Sequence, residues 1–501
     1  MNHVLRRMVT ATAVGLLGLA GAGLAAVAPA AAAPARVPAQ IDPNQPHSGL
    51  PKVAPRGLTP PTGASCTIAS TTTPTTSNCW SGYVQQAGGY NTISASWTVP
   101  TANPATVNSN SFTWIGIDGW NSANLIQTGT AQTWNASTNS ASYHAWWEIL
   151  PASETPVFNV SPGDAITASI SRVSGTQWSI LLQDHTNGQT ISTTQTYTGP
   201  GASAEFIHEA PTQGGNVVPL TPFSTFSFYD ARVNGNSPAL NANQRVTMVQ
   251  NSATVSSIST PNEAANGFSV ANSATAPAAP PTPVFQLHSD GTIWASTGAG
   301  CSGSSCPGWF LLDNNPATVQ IAAGAGSVFQ RHSDGSIWEW TGTPCSTGCP
   351  GWALLDNNRA TTSISAGSGT VFQLHSDGSI WRSTGVPCNT SCPGWTELDN
   401  NPAAKAIAAG AGTVFQLHTD GSIWRSTGVA CSGASCPGWT ELDNNPAGVG
   451  IVASSSTVYQ LHSDGSIWRS TGTACSGASC PGWTELDNNP AARAISVSNG
   501  S

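Results

Sequence analysis

The sequence predicts an all-β protein, and three observations carry that prediction. Asp, Glu, Lys and Arg make up only 8% of the chain, about a third of the usual share. Ser, Thr, Asn and Gly take their place among β-branched and aromatic residues, which suit pleated, half-buried surfaces. The last 220 or so residues repeat one short pattern of alternating runs, turn signals and Trp with no helical spacing. The net charge is −9 and no basic run follows the first few residues, so nucleic-acid binding is not expected. With Glu and Lys scarce, a long coiled coil is not expected either.

In chain order, residues 1–33 read as a secretory signal. Arg6 and Arg7 precede an apolar stretch from Val9 to Ala28, and Ala30 and Ala32 suit a signal peptidase. An uncleaved anchor is the alternative. No later segment is long and apolar enough to span a bilayer, so a secreted protein that leaves the membrane after cleavage is expected. Residues 34–65 are Pro-rich and carry Arg36, Lys52 and Arg56 against Asp42. They read as a propeptide or linker, and a basic latch over an acidic cleft is one role for them. Residues 265–282 read as a Pro/Ala linker between a domain at 66–264 and the repeats at 283–501.

Behind a signal peptide, the twelve cysteines predict disulfides. Each has a near neighbour: Cys66 with Cys79, Cys301 with Cys306, Cys345 with Cys349, Cys388 with Cys392, Cys431 with Cys436 and Cys475 with Cys480. Zinc is the rival use, but the spacing recurs once per repeat and matches no finger. The repeats are marked by His288, His332, His375, His418 and His462, 43 or 44 residues apart. A period near forty with two Trp per unit predicts five blades of a β-propeller. VFQLHS and SIWRST flank an Asp-Gly turn in the best copy. The first unit lacks a leading strand, so Ile495–Ser498 is expected to close the ring beside Val284–His288. The repeats loosely resemble tectonin-type or lectin-like propellers. Trp is read as blade packing and Asp as turn former, and a carbohydrate or cell-wall ligand remains open.

Chemistry points to residues 66–270, which hold nine carboxylates, three Arg and no Lys. Asp164 and Asp184 sit in turn contexts. Asp118, Glu148, Glu205 and Glu209 lie in apolar, strand-like runs, where a charge is costly without a use. Alternation places Trp114, Gly116 and Asp118 on one face, His144, Trp146 and Glu148 on another, and Glu205, Ile207 and Glu209 on a third. The sequence has no G-x-S-x-G elbow, no H-E-x-x-H and no phosphate loop, so a carboxylate is the expected catalytic base.

WSGYV (80–84), SWTVP (96–100), WIGIDG (114–119), LIQTG (125–129), YHAWWEILP (143–151), SPGDAI (161–166) and AEFIHEAP (204–211) together resemble, in order, the eqolisins or glutamic peptidases, over about residues 77–232. The resemblance implies a two-sheet antiparallel β-sandwich and an acid endopeptidase acting on protein or peptide substrate. It implies no cofactor and no metal; a monomer is expected. It assigns Gln127 and Glu205 as the catalytic pair. Trp114, Asp118, Trp146 and Glu148 would bind substrate or support the pair. Two departures stand out: the stretch between Asp118 and Gln127 is one residue shorter than the family pattern, and Phe206 replaces a Trp. A glycoside hydrolase with a lectin-like accessory domain, or a non-catalytic lectin or adhesin, are the alternatives.

Overall fold

The computed structural model describes residues 66–69, 75–120, 122–213, 215–296, 308–324, 326–343, 345 and 348–496. The expected signal segment, the basic latch and the Cys301–Cys306 pair lie outside these residues. The described part is all β, with a single 3-10 turn, Ala242–Gln244. No helix among the described residues is long and apolar enough to cross a membrane.

The first region is one 16-stranded, almost wholly antiparallel sheet that curls back toward itself. One half runs, in spatial order, Arg245–Gln250, Trp80–Gln85, Ala204–Glu209, Ser109–Ile117, Ile126–Asn135, Ser140–Ile149 and Thr155–Asn159. The other runs Phe268–Ala271, Phe226–Val233, Thr92–Thr98, Ala165–Ser174, Gln177–Asp184 and Thr190–Thr196. Ala253–Ile258 pairs with a strand of each half and joins them. Alternation explains the packing. Ile115, Ile126 and Phe206 from the first half meet Trp97, Ile166, Phe228 and Phe268 from the second in one core. The opposite face of the first half carries its own cluster, with Trp80, Trp114, Trp146 and Ile207.

Phe268–Ala271 corrects the expected boundary at 265. This short strand is buried and paired with Phe226–Phe228, so the connecting segment begins after Ala271. Asn, Gly and Ala around it hide four residues whose apolar members fill the core.

The repeats form four four-stranded antiparallel sheets and, for the first unit, a three-stranded one. The Asp-Gly turns appear as expected: Gly291, Gly335, Gly378, Gly421 and Gly465 have φ between 86° and 90°, and each preceding Asp accepts the N–H two residues on. Neighbouring sheets are joined by indole hydrogen bonds. Trp352, Trp395, Trp439 and Trp483 donate to the carbonyls of Leu312, Leu355, Leu398 and Leu442 of the preceding unit, at 2.8–3.0 Å. Those four leucines are at most 1% exposed. The described disulfides join Cys66 to Cys79, Cys345 to Cys349, Cys388 to Cys392, Cys431 to Cys436 and Cys475 to Cys480.

The expected closing strand is not formed among the described residues. Ile495 and Ser496 are not in a strand, and Phe285–Leu287 pairs only with Ile293–Ser296. Ser496 does line a pocket with the first strands of the four-stranded sheets, beside Ala323, Ala366, Ala409 and Ala453. Leu486, the counterpart of the buried leucines in the fifth unit, is 51% exposed, and no indole among the described residues donates to its carbonyl.

Candidate active site

Strand register assembles the site. Val84, Glu205, Gly116, Gln127 and Glu148 stand side by side across five adjacent strands. Glu205 and Gln127 therefore share one face and flank a residue with no side chain. Two strand spacings separate their backbones, roughly 10 Å between Cα atoms. The floor at Gly116 is already crowded: an added Cβ would lie 2.9 Å from both the Trp114 ring and the Leu125 side chain.

The next row is Ile207, Trp114, Gly129 and Trp146. At Gly129 an added Cβ would come within 2.1 Å of the Thr113 carbonyl. Only glycine fits between the two tryptophans there. Trp80 meets Trp114 edge-on at 5.0 Å between ring centroids, Trp120 stands 6.2 Å from Trp80, and Phe112 meets Trp146 at 5.7 Å. The face is paved with aromatic rings around three carboxyl groups, Glu148, Glu205 and Glu209, and the Gln127 amide.

Each polar group has a distinct environment. The Gln127 Nε2 amide donates to Glu148 Oε2 at 2.5 Å, and Gln127 Oε1 is buried with no partner. The Trp114 indole donates to Glu209 Oε2 at 2.7 Å. Glu209 thus holds an aromatic wall, which separates its part from that of Glu205. Neither Glu205 oxygen accepts a well-formed hydrogen bond, and the residue is fully buried. Burial pushes its carboxyl well above the usual carboxylate range; the Ser203 hydroxyl and the Trp120 N–H oppose this, and the Asp118 charge adds to it.

Asp118 departs from the expected face. The strand ends at Ile117, and φ of 69° at Asp118 turns the chain. Its carboxylate accepts from the Tyr197 hydroxyl (2.6 Å) and from the N–H groups of Gly201 (3.0 Å) and Ala202 (2.6 Å). Its own N–H donates to the Ser203 carbonyl. Asp118 thereby fixes the segment that delivers Glu205. The structure brings together Gln127, Glu205, Trp114, Trp146 and Glu148, with Asp118 bracing from the loop side.

Sequence reasoning passed over Trp80, Trp120 and Ser203 as site residues. The period-two series Trp80, Gly82, Val84 was a signal for the first; Trp120 and Ser203 lie in loops whose approach only the fold shows. On the reverse of the Glu205 strand, His208 packs 4.1 Å from the Phe223 ring and shares a hydrogen bond with Thr113. Burial lowers its pKa to about 3. Among the described residues no group of three or more His, Cys, Asp or Glu is placed to hold a metal ion.

An all-β domain with a carboxyl and an amide aimed into one aromatic face is the class of protein this geometry defines. Residues 78–270 match the Peptidase A4 family. The match extends beyond residue 232 to Val270, within the Phe268–Ala271 strand. Scytalidopepsin B of Scytalidium lignicola is 29% identical over 157 residues, covering 30% of this chain and 58% of that protein. Aspergillopepsin-2 of Aspergillus niger is 25% identical over 192 residues, covering 33% of this chain and 67% of that protein. A crystal structure of scytalido-glutamic peptidase with a transition-state analogue inhibitor aligns over 39% of this chain and 98% of that one, with 24% identity and a TM-score of 0.34.

Proposed function

We propose that residues 78–270 form a β-sandwich glutamic endopeptidase, secreted and active on proteins in acid, followed by repeats built as propeller blades. One observation carries the reading: Glu205 and Gln127 face one another across the bare backbone of Gly116. The gap suits one water held by both side chains. Glu205 as carboxylate takes a proton from that water as it attacks the peptide carbonyl. The resulting carboxylic acid hands the proton to the leaving nitrogen. Gln127 keeps one amide hydrogen on Glu148 and turns the other toward the developing oxyanion. An amide does not titrate, so this donor persists in acid.

Glu205 must lose its proton to start, and burial resists that. The acid limb of the activity profile should therefore lie above the ordinary carboxylate pKa, with Ser203 and the entering water favouring the ionised form. Glycoside hydrolysis fits less well. It needs two carboxyl groups about 5–10 Å apart. Glu205 and Glu148 stand three strand spacings apart, roughly 14 Å between Cα atoms, and Glu148 is engaged by Gln127.

Digestion of casein and of a β-linked polysaccharide across pH 2–7 tests this. Wild type should cleave only the protein, and Gln127→Ala and Glu205→Gln should each lose at least ~100-fold in turnover. Protein cleavage that survives both substitutions would sink the assignment. Polysaccharide cleavage that survives Gln127→Ala would favour the glycosidase.

A further inference from the structure

The five repeats share their sequence closely except at a few places. Where the later units carry Ser383, Ser426 and Ser470, the second unit carries Trp340. Where they carry Arg382, Arg425 and Arg469, it carries Glu339, and the first unit carries Ala295. Where they carry Thr396, Thr440 and Thr484, the first unit carries Phe310. Ala295, Phe310 and Trp340 help fill the core shared by the first two units, and Phe310 and Trp340 also reach beyond the array.

The fold shows what they meet. The Trp340 indole donates to Asp230 Oδ2 at 2.8 Å. Arg232 pairs with Asp230 at 2.9 Å and donates to the carbonyls of Trp340 (3.2 Å) and Gly326 (2.6 Å). Arg232 and Trp340 are each 1% exposed. The Arg232 charge also opposes the upward push that burial gives the Glu339 carboxyl. Gly342 lies so close to the other wall that an added Cβ would reach within 2.2 Å of Ser94 Oγ. Phe310 packs 5.4 Å from the His185 ring, and His185 is tied to Thr167 at 2.8 Å.

These partners lie on the second half of the curled sheet, on the side facing away from its core. Ile93, Ala95, Phe226 and Phe228 of the same strands fill that core, so Ser94 and Ser227 point outward, yet both are buried. Glu205 and Gln127 lie beyond the opposite wall of the core.

We propose that Asp230, Arg232, Ser94 and His185 form a socket for the first two repeats, which makes the repeat array a rigid back-plate of the 78–270 domain rather than a tethered module. The docked face is the one the chemistry does not use, so the array neither lids the site nor swings across it. The inference does not depend on the peptidase reading, because it concerns unfolding and separation, not turnover.

The test uses the full chain. In calorimetry wild type should unfold both regions in one transition. Trp340→Ser and Phe310→Thr restore residues of the later repeats and remove neither partner of the Trp352–Leu312 bond between units. Each should split the trace into two transitions at least ~5 °C apart. Both also thin the core those units share, so Trp352→Phe, which loses that bond but keeps the socket, serves as the control and should leave a single transition. A specific-protease site inserted at residues 274–278, in the exposed connection, gives a second reading. Cut wild type should elute as one particle, and cut Trp340→Ser as two. Two independent transitions in wild type, or Trp340→Ser and Phe310→Thr variants whose halves stay joined after cutting with a single unchanged transition, would overturn the proposal.

Discussion

The repeats and the face that carries Glu205 both bury polar side chains, but they treat them in opposite ways. In the repeats the partners recur from unit to unit. Gln330, Gln373, Gln416 and Gln460 donate to Asp313, Asp356, Asp399 and Asp443 at 2.7–2.8 Å. Each turn Ser, from Ser336 onward, accepts from the Trp two residues on. Trp381 stacks on His375 at 5.9 Å, as its counterparts do. The site face instead leaves both Glu205 oxygens and Gln127 Oε1 unpartnered in full burial. An unmade hydrogen bond there costs about 1–3 kcal/mol, more for a charge. A hydrogen-bonded pair repeated in four units serves the architecture. The repeats leave single atoms unsatisfied, such as Gln416 Oε1 and Gln460 Oε1, whereas a carboxyl and an amide left so on one row of an aromatic face mark where a ligand supplies the missing bonds.

The comparison breaks most sharply if the unpartnered groups prove idle. Glu205→Gln is expected to abolish detectable turnover, a loss of at least ~100-fold, while leaving the thermal midpoint unchanged or raised, since a fully buried ionisable group is removed. Steady-state kinetics with parallel calorimetry would show it.

Gly129→Ala is the next largest effect. Its Cβ would strike the Thr113 carbonyl, so the strands must part, at a cost of about 1–3 kcal/mol or more. Urea unfolding would measure that loss, and activity should fall with it because Trp114 and Trp146 lose their register.

The pH dependence sharpens the contrast further. Ser203→Ala removes a group that favours ionised Glu205, so the acid limb of kcat/KM should move to higher pH. Stability answers to other groups. His208, with its pKa held at about 3, and His185, at about 4, stay neutral while their unfolded counterparts take up protons. They stabilise the fold above the ordinary histidine pKa, and that contribution is lost as pH falls from about 6.5 toward 3. Asp184 works the other way. Burial and the neighbouring Asp164 raise it to about 7, so its contribution is present in acid and lost as pH rises from about 4 through 7. Thermal midpoints of Asp184→Asn and wild type should therefore converge or cross as pH is raised from 4 to 7.

Much of this was legible before any coordinates. Alternation showed which residues share a face in the strands of Gln127, Glu148 and Glu205, and the ordered motifs singled out the pair. Register was not legible. Nothing local says that Gly116 stands between Gln127 and Glu205, because pairing joins strands some 80 residues apart. Asp118 was misplaced because alternation was extended one residue past a strand end that a left-handed φ imposes. Trp340 was visible as a break in the repeat, yet its partner Asp230 is 110 residues away. The expected ring closure rested on counting strands, which says how many are needed but not that the last one pairs.

The smallest effect concerns the repeats alone. Thr318 and Thr361 donate to Gln330 Oε1 and Gln373 Oε1 at 2.6 Å. The third and fourth of the four-stranded units carry Ala404 and Gly448 there, and Gln416 Oε1 and Gln460 Oε1 are left without partners. Ala404→Thr should restore the bond and stabilise by about 0.5–1.5 kcal/mol, with no change in turnover. Chemical denaturation of both forms would resolve it.

The central claim is that Glu205 and Gln127 act on one water, and a double-mutant cycle tests it most directly. kcat/KM would be measured for wild type, Glu205→Gln, Gln127→Ala and the double variant on one peptide. Groups that work as a unit are not additive, so the double variant should fall within about threefold of the weaker single one. Losses that multiply would mean that the two side chains act separately, and the shared-water account would be wrong.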